Sequence, residues 1–288
     1  MGQFLLIIFP MDRLDAFKAI AAQADRGELA FPTNIDASMK LQRALNDDNC
    51  HIDLAAKLVQ ADPLLAARTV AIANSVAYNR SGMEISSVKT AVQRLGVRTL
   101  QSLVASVIVR QLSGKIRNPL LKAKSNQLWE HTAHVAALAQ VIARRVSHVD
   151  PDTAMFAGIV HEVGGFYMLS QAEAYPEAME GDPEDWTTYG EVQIGRGVLK
   201  KLMIPENVMK AVEAMWEGMR ALPPENLGDT LLLANDLSPI ASPLHARPGA
   251  TSMSAASTID FAIGDGTLAS IMEESAEEVK SLTAALLR

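Results

Sequence analysis

Four residues of this 288-residue chain have the types and spacing to hold a divalent ion. They are His131 in LWEHTAHVAALAQVIARR, the adjacent His161 and Glu162 in AGIVHEVGGF, and Asp236 in LLLANDLSP. Imidazole and carboxylate donors suit a single Mn, Fe or Zn ion, and carboxylate suits Mg as well. At 100° per helical residue, Leu128, Thr132, Val135, Ala139, Ile142 and Val146 form one stripe, and His131 falls about 40° from Val135, inside it. His134 sits at the stripe's edge. An inward imidazole needs a hydrogen-bond partner or an ion, because burying it unpaired costs ~1–3 kcal/mol. Taken alone, His131 reads more simply as a core histidine satisfied by a carbonyl. Asp236 follows Leu232 by one turn and Leu233 by three residues, toward an apolar side where a carboxylate must be paired or coordinated. His161 and Glu162 lie on a segment that opens at Pro151-Asp152 and is expected to close at Gly164-Gly165. Neighbours on a helix diverge by about 100°, so both reach one ion only where the helix borders a concave site.

The elements that must position these residues read as helix almost throughout. Asp62-Pro63 supplies an N-cap and a proline at the first helical position, with Leu64, Leu65, Arg68, Thr69 and Ile72 following at helical spacing. Runs such as LAAKLVQ, AARTVAIA and AALAQVIARR favour helix, and no sustained polar/apolar alternation is present. The expected fold class is all-α. Gly114 and Pro119 in LSGKIRNPL mark a break, after which a helix is expected from near Ser125. SPIASPLHARPGATSMS reads as an exposed loop, and Asp265-Gly266-Thr267 opens one final helix. These breaks divide the chain into an N-terminal helical subdomain (14–118), a second helical subdomain carrying the candidate ligands (119–240), and a loop with a C-terminal helix (241–288).

Composition excludes several classes. The first apolar run, Phe4 to Met11, is broken by Pro10 and is far shorter than the ~20 residues of a membrane span. It lacks the flanks of a signal peptide, and no membrane partner is expected. A lone cysteine, Cys50, rules out an intramolecular disulfide framework and thiolate zinc sites, and fits a reducing cytoplasm. A formal charge of −7 disfavours nucleic acid as a partner, since duplex affinity comes largely from Lys and Arg. Yet no acidic residue lies between Glu84 and Glu130, where Lys89, Arg94, Arg98, Arg110, Lys115, Arg117, Lys122 and Lys124 are found. The simpler reading is a solvated helical face balanced by the acidic stretch Glu273 to Glu278. The alternative is an anion- or partner-binding surface, for which Arg94, Arg98 and Lys115 are the candidates.

The order His131, His161-Glu162, Asp236 resembles the H…HD…D ligand series of the HD superfamily of metal-dependent phosphohydrolases, with Glu162 in place of the Asp. FPTNI at 31, LAAKLVQADPLLAARTVAIANS at 54, ISSVKTAVQRLGVRTL at 85, LWEHTAHVA at 128 and FAGIVHEVGG at 156 resemble one branch of it, the HDOD (HD-related output) domain of bacterial signalling proteins. The resemblance spans roughly residues 30 to 240. It implies an HD-like helical bundle with an N-terminal helical subdomain, acting by binding a signalling protein or a nucleotide-like ligand. His131, His161, Glu162 and Asp236 are then the degenerate remainder of a metal site, holding one divalent ion or none.

Departures from the cyclic-dinucleotide phosphodiesterases of the superfamily support that implication. Where those enzymes place a Lys, this chain has Gly165. Glu191 stands where they have a His, and Met215-Trp216 stands where they have two more. A Lewis acid polarises phosphoryl oxygen, often with a second ion for the leaving oxygen, and the ligands for a second ion are missing. The expected activity is therefore regulatory rather than catalytic, the rival being a mononuclear metal-dependent phosphohydrolase acting on a nucleotide or other phosphate ester.

Overall fold

Three Xaa-Pro steps start three of the helices. Asp62 accepts the N–H groups of Leu64 (2.9 Å) and Leu65 (3.1 Å), and Asn118 accepts those of Leu120 (2.9 Å) and Leu121 (3.4 Å). Asp150 accepts that of Thr153 at 2.8 Å. Each such cap satisfies otherwise orphaned donors and contributes about 1 kcal/mol. The computed structural model describes residues 13–31, 35–172, 174, 185–218, 221–244 and 267–287. All regular elements among them are helical, so the fold is all-α.

The N-terminal array consists of α1 (Arg13–Asp25), α2 (Ile35–Leu45), α3 (Ile52–Gln60), α4 (Pro63–Ala73) and α5 (Val88–Leu112). The second half begins with α6 (Pro119–Ile142), which runs into a π-helical turn, Ala143–Ser147. Then come α7 (Pro151–Val160), α8 (Val163–Gln171), a π-helical segment (Trp186–Gly195), α9 (Arg196–Lys201), α10 (Glu206–Glu217) and α11 (Leu227–Asp236). Finally α12 (Thr267–Glu274) and α13 (Ala276–Leu287) bring the chain back, with α13 packed on α4 and α6. One apolar core runs through both halves, from Phe17 and Leu45 through Leu103 and Val107 to Leu128, Phe166 and Leu231. No helix among the described residues is long and apolar enough to cross a membrane.

Four local expectations are corrected. The helix expected near Ser125 starts at Pro119, because Asn118-Pro119 is the same cap-and-proline signal as Asp62-Pro63 and does not break the chain. Gly164 and Gly165 do not close the segment carrying His161 but lie in the first turn of α8. The single C-terminal helix is two, α12 and α13, parted at Ser275. The acidic stretch near the C-terminus does not balance the basic segment: Glu274 and Glu278 pair with Arg145 and Arg144 of the π-helical turn. Lys89 and Arg98 find Asp53 (2.8 Å) and Asp150 (3.2 Å) instead.

Within α5, Gly96 has φ 75° and ψ 171°, so the helix is broken there in a conformation that L side chains rarely adopt. Farther along, Arg68 of α4 is 4% exposed and has no carboxylate partner among the described residues. Its Nη1 makes one long bond to Ser106 Oγ (3.5 Å), and burial followed by the nearby Arg110 pulls its pKa down. The Asp62 carboxylate at the start of the same helix offsets this only in part, and a buried charge without a direct ion pair is a liability. Arg68→Met keeps the stem and removes the charge, and should raise unfolding free energy by about 1–3 kcal/mol in a denaturant titration. A loss of that size would show that the guanidinium is better satisfied than its contacts indicate.

Candidate metal centre

His131 projects from the middle of α6 into the core at 2% exposure, and His161 caps the end of α7 at 3%. The Nδ1 atom of His131 lies 2.6 Å from the Ile240 carbonyl, and that of His161 lies 2.7 Å from the Gly158 carbonyl. A carbonyl can only accept, so each Nδ1 carries the proton and donates it. Each Nε2 is thereby left as an acceptor, and the two face one another at 3.3 Å. Acceptors this close need a proton or a cation between them. Fixing the tautomer through a backbone carbonyl on the far nitrogen is the usual outer support of a metal-binding imidazole.

The difficulty of two adjacent ligands is resolved by a break in the helix. α7 ends at Val160, α8 starts at Val163, and Glu162 leaves helical geometry at φ −103°, ψ 17°. Freed from the 100° divergence, Glu162 joins the two histidines, and one donor atom from each of the three lies within 4.8 Å of the others. All three residues are buried, Glu162 at 3% exposure. The donor set fits a transition ion: nitrogens about 2.1 Å from one ion and separated as these are would subtend roughly 100°. His131, His161 and Glu162 would hold the ion, and an ion there would act as a Lewis acid.

Asp236, the last residue of α11, is half-buried and lies outside the three-residue set. Four residues later the same chain supplies the Ile240 carbonyl, and the following strap lies against the site. Gln127 Nε2 donates to the Ala241 carbonyl at 3.1 Å, and Ser238 Oγ to that of Ile240 at 2.9 Å. A Cβ added at Gly165 would stand 2.3 Å from Leu244 Cδ1 and 3.3 Å from Glu162 Oε2. Position 165 therefore borders the site, and Leu244 takes up the space a longer side chain would need. Glu191 and Met215 are buried in the π-helical segment and α10.

The anion candidates do not converge. Arg94 is half-buried and donates to the Ala73 and Met83 carbonyls, Arg98 makes an exposed pair with Asp150, and Lys115 is exposed beyond the end of α5. The rise of ~1.5 Å per residue puts the end of α5 roughly 20 Å from Arg98, too far for one small ligand. Two contributors were not foreseen: Gly158, whose carbonyl holds His161, and the strap from Ser238 to Leu244. The small side chains Ala136, Ala157 and Gly158 in two apolar segments are the signal for the first. Nothing local marks the second.

The sequence profile of the HDOD domain matches residues 31–215, and the chain belongs to the HDOD domain family. No curated protein matches it. Among solved structures it is similar to a candidate metal-dependent phosphohydrolase from Shewanella amazonensis SB2B, at 22% identity and TM-score 0.71, over 95% of this chain and 99% of that one. It is also similar to an HDOD domain protein of unknown function from Geobacter sulfurreducens (22%, TM-score 0.63, 95% and 98%). A third is a candidate signal transduction protein from Marinobacter aquaeolei VT8 (19%, TM-score 0.58), where 96% of this chain covers 67% of that one. At such identities these likenesses establish the fold.

Proposed function

We propose that this chain is a non-catalytic HDOD output module of a bacterial cytoplasm, acting by binding a signalling protein or nucleotide-like ligand. Its His131–His161–Glu162 cluster holds one divalent ion (Mn, Fe, Zn or Mg), with Asp236 near enough in sequence to the strap to serve as an outer support. The ion pins α6, α7 and the strap together rather than serving turnover. The observation that carries this reading is the strap: Leu244 lies against Gly165 beside Glu162, in the space a cationic side chain at position 165 would need. Gly165 supplies no charge, and Met215 and Trp216 supply no ligands for a second ion.

The rival reading, a mononuclear phosphohydrolase, is favoured by the chemistry of the donor set. A turnover panel separates the two. Protein purified without chelator, assayed with Mn²⁺ on p-nitrophenyl phosphate, its bis-ester and nucleoside monophosphates, should hydrolyse none of them faster than Glu162→Gln does. Metal-dependent hydrolysis that disappears in Glu162→Gln and Asp236→Asn would make the cluster a working active site and overturn the output-module reading.

A further inference from the structure

Away from the histidine cluster, a cavity of about 430 Å³ opens between the connector that follows α4, the first half of α5, the π-helical turn after α6, and the start of α7. Its walls include Tyr78, Arg80, Ser81, Arg94, Arg144 and Asp152. Three guanidinium groups thus meet from three parts of the chain, and their charges are met differently.

Arg144 is paired with Glu278 of α13. Arg94 has no carboxylate partner among the described residues: its Nη1 donates to the Ala73 and Met83 carbonyls (3.0 and 3.3 Å) and its Nη2 to Met83 (3.2 Å). Carbonyls fix the plane of the group without cancelling its charge, so Arg94 is held ready for an anion. Arg80 is exposed and has no acidic partner among the described residues. Arg98, one turn beyond Arg94, is already paired with Asp150.

The carboxylate in the wall, Asp152, is partly engaged. Asp152 Oδ1 accepts the Tyr78 hydroxyl at 2.6 Å and the Gln140 amide at 3.3 Å. Three arginines against Asp152 and Glu278 leave the site net positive, with the unpaired charge on Arg80 and Arg94. Asp152 still offers its other oxygen as an acceptor. Such an arrangement suits a ligand with an anionic end and a hydroxylated end. The depression is broad and largely open to solvent, and it lies where segments from both halves of the chain meet.

We propose that this cavity binds a nucleoside monophosphate, its phosphate on Arg80 and Arg94 with Ser81 as a further donor, and its sugar hydroxyls toward Asp152. The ligand would bridge the N-terminal array to α7, and through Arg144 and Glu278 it would bear on α13. The assignment rests on the output-module reading for its role alone. The site shares no residue with the metal cluster, so the two can be tested apart.

The test is calorimetric titration of the full chain with adenosine 5′-monophosphate in chelator and low salt, with adenosine as the control lacking phosphate. The monophosphate should bind and adenosine should not. Arg80→Glu, an exposed change that leaves the fold intact, should weaken binding at least about tenfold, which is about 1.4 kcal/mol. Asp152→Asn should weaken the monophosphate while leaving inorganic phosphate unaffected. No binding of the monophosphate by the unaltered protein would overturn the proposal. So would an affinity that Arg80→Glu leaves unchanged, or adenosine binding as well as its phosphate. None of these outcomes bears on turnover, since in chelator any metal-dependent hydrolysis would be silent.

Discussion

Gly158→Ala should lower unfolding free energy by about 2 kcal/mol, although alanine in place of an interior helical glycine normally contributes about 1 kcal/mol of stability. The reversal of sign comes from the crossing of α6 and α7. A Cβ on Gly158 would stand 2.5 Å from the Ala136 Cα and 2.9 Å from its backbone nitrogen. Backbone cannot swing aside as a side-chain tip can, so the helices must separate. Gly158→Val should cost more, since a branched side chain needs a wider gap. His131 lies on α6, and His161 follows α7 and hangs on the Gly158 carbonyl, so the same change should pull the imidazoles apart and weaken ion binding. Denaturant titration together with metal affinity checks both effects. An alanine variant as stable as the parent would mean that the crossing is looser than these distances require.

Mn²⁺ or Zn²⁺ added to chelator-stripped protein should raise its unfolding free energy, by about 2.7 kcal/mol at a hundredfold excess over Kd. The reason is the facing pair of Nε2 acceptors, 3.3 Å apart, whose Nδ1 protons are already committed to carbonyls. A cation between them satisfies both nitrogens and the Glu162 charge at once. Glu162→Gln keeps the volume and removes the charge, so it should lose most of the metal-dependent rise while changing the stability of the stripped protein only modestly. Equal stabilisation of parent and Glu162→Gln would place the ion elsewhere.

Much of this was legible in the residues. His131 could be placed inside because its stripe is long and regular, and its neighbour His134 does sit at the edge, bonded to the Glu130 carbonyl. Asp62-Pro63 was readable as a helix start because cap and proline act within four residues. Asn118-Pro119 carries the same chemistry, but Gly114 just before it suggested a longer gap. The meeting of His161 and Glu162 could not be read locally, since it depends on a helix break whose glycines looked like a terminator and are instead tolerated inside α8 by close packing against Gly195 and Leu244. Charge counting marked Arg94, Arg98 and Lys115 as a set. It could not tell a guanidinium oriented by carbonyls and still carrying an uncancelled charge from one paired with Asp150, because those partners come from other parts of the chain.

The bond from His131 to the Ile240 carbonyl joins two events that otherwise have no connection. Seating the strap fixes the tautomer that an ion requires, and a bound ion in turn withdraws electron density from the ring and strengthens the Nδ1–H as a donor to the strap. By reciprocity, whatever free energy the strap lends to ion binding is returned in full as resistance of the strap to being lifted. With an ion held as proposed, a partner that peeled residues 238–244 from the surface would loosen it by the same factor by which the ion had opposed that partner. On the proposed reading, the cluster would act as a latch whose strength follows metal supply, making the availability of a trace element an input to the module.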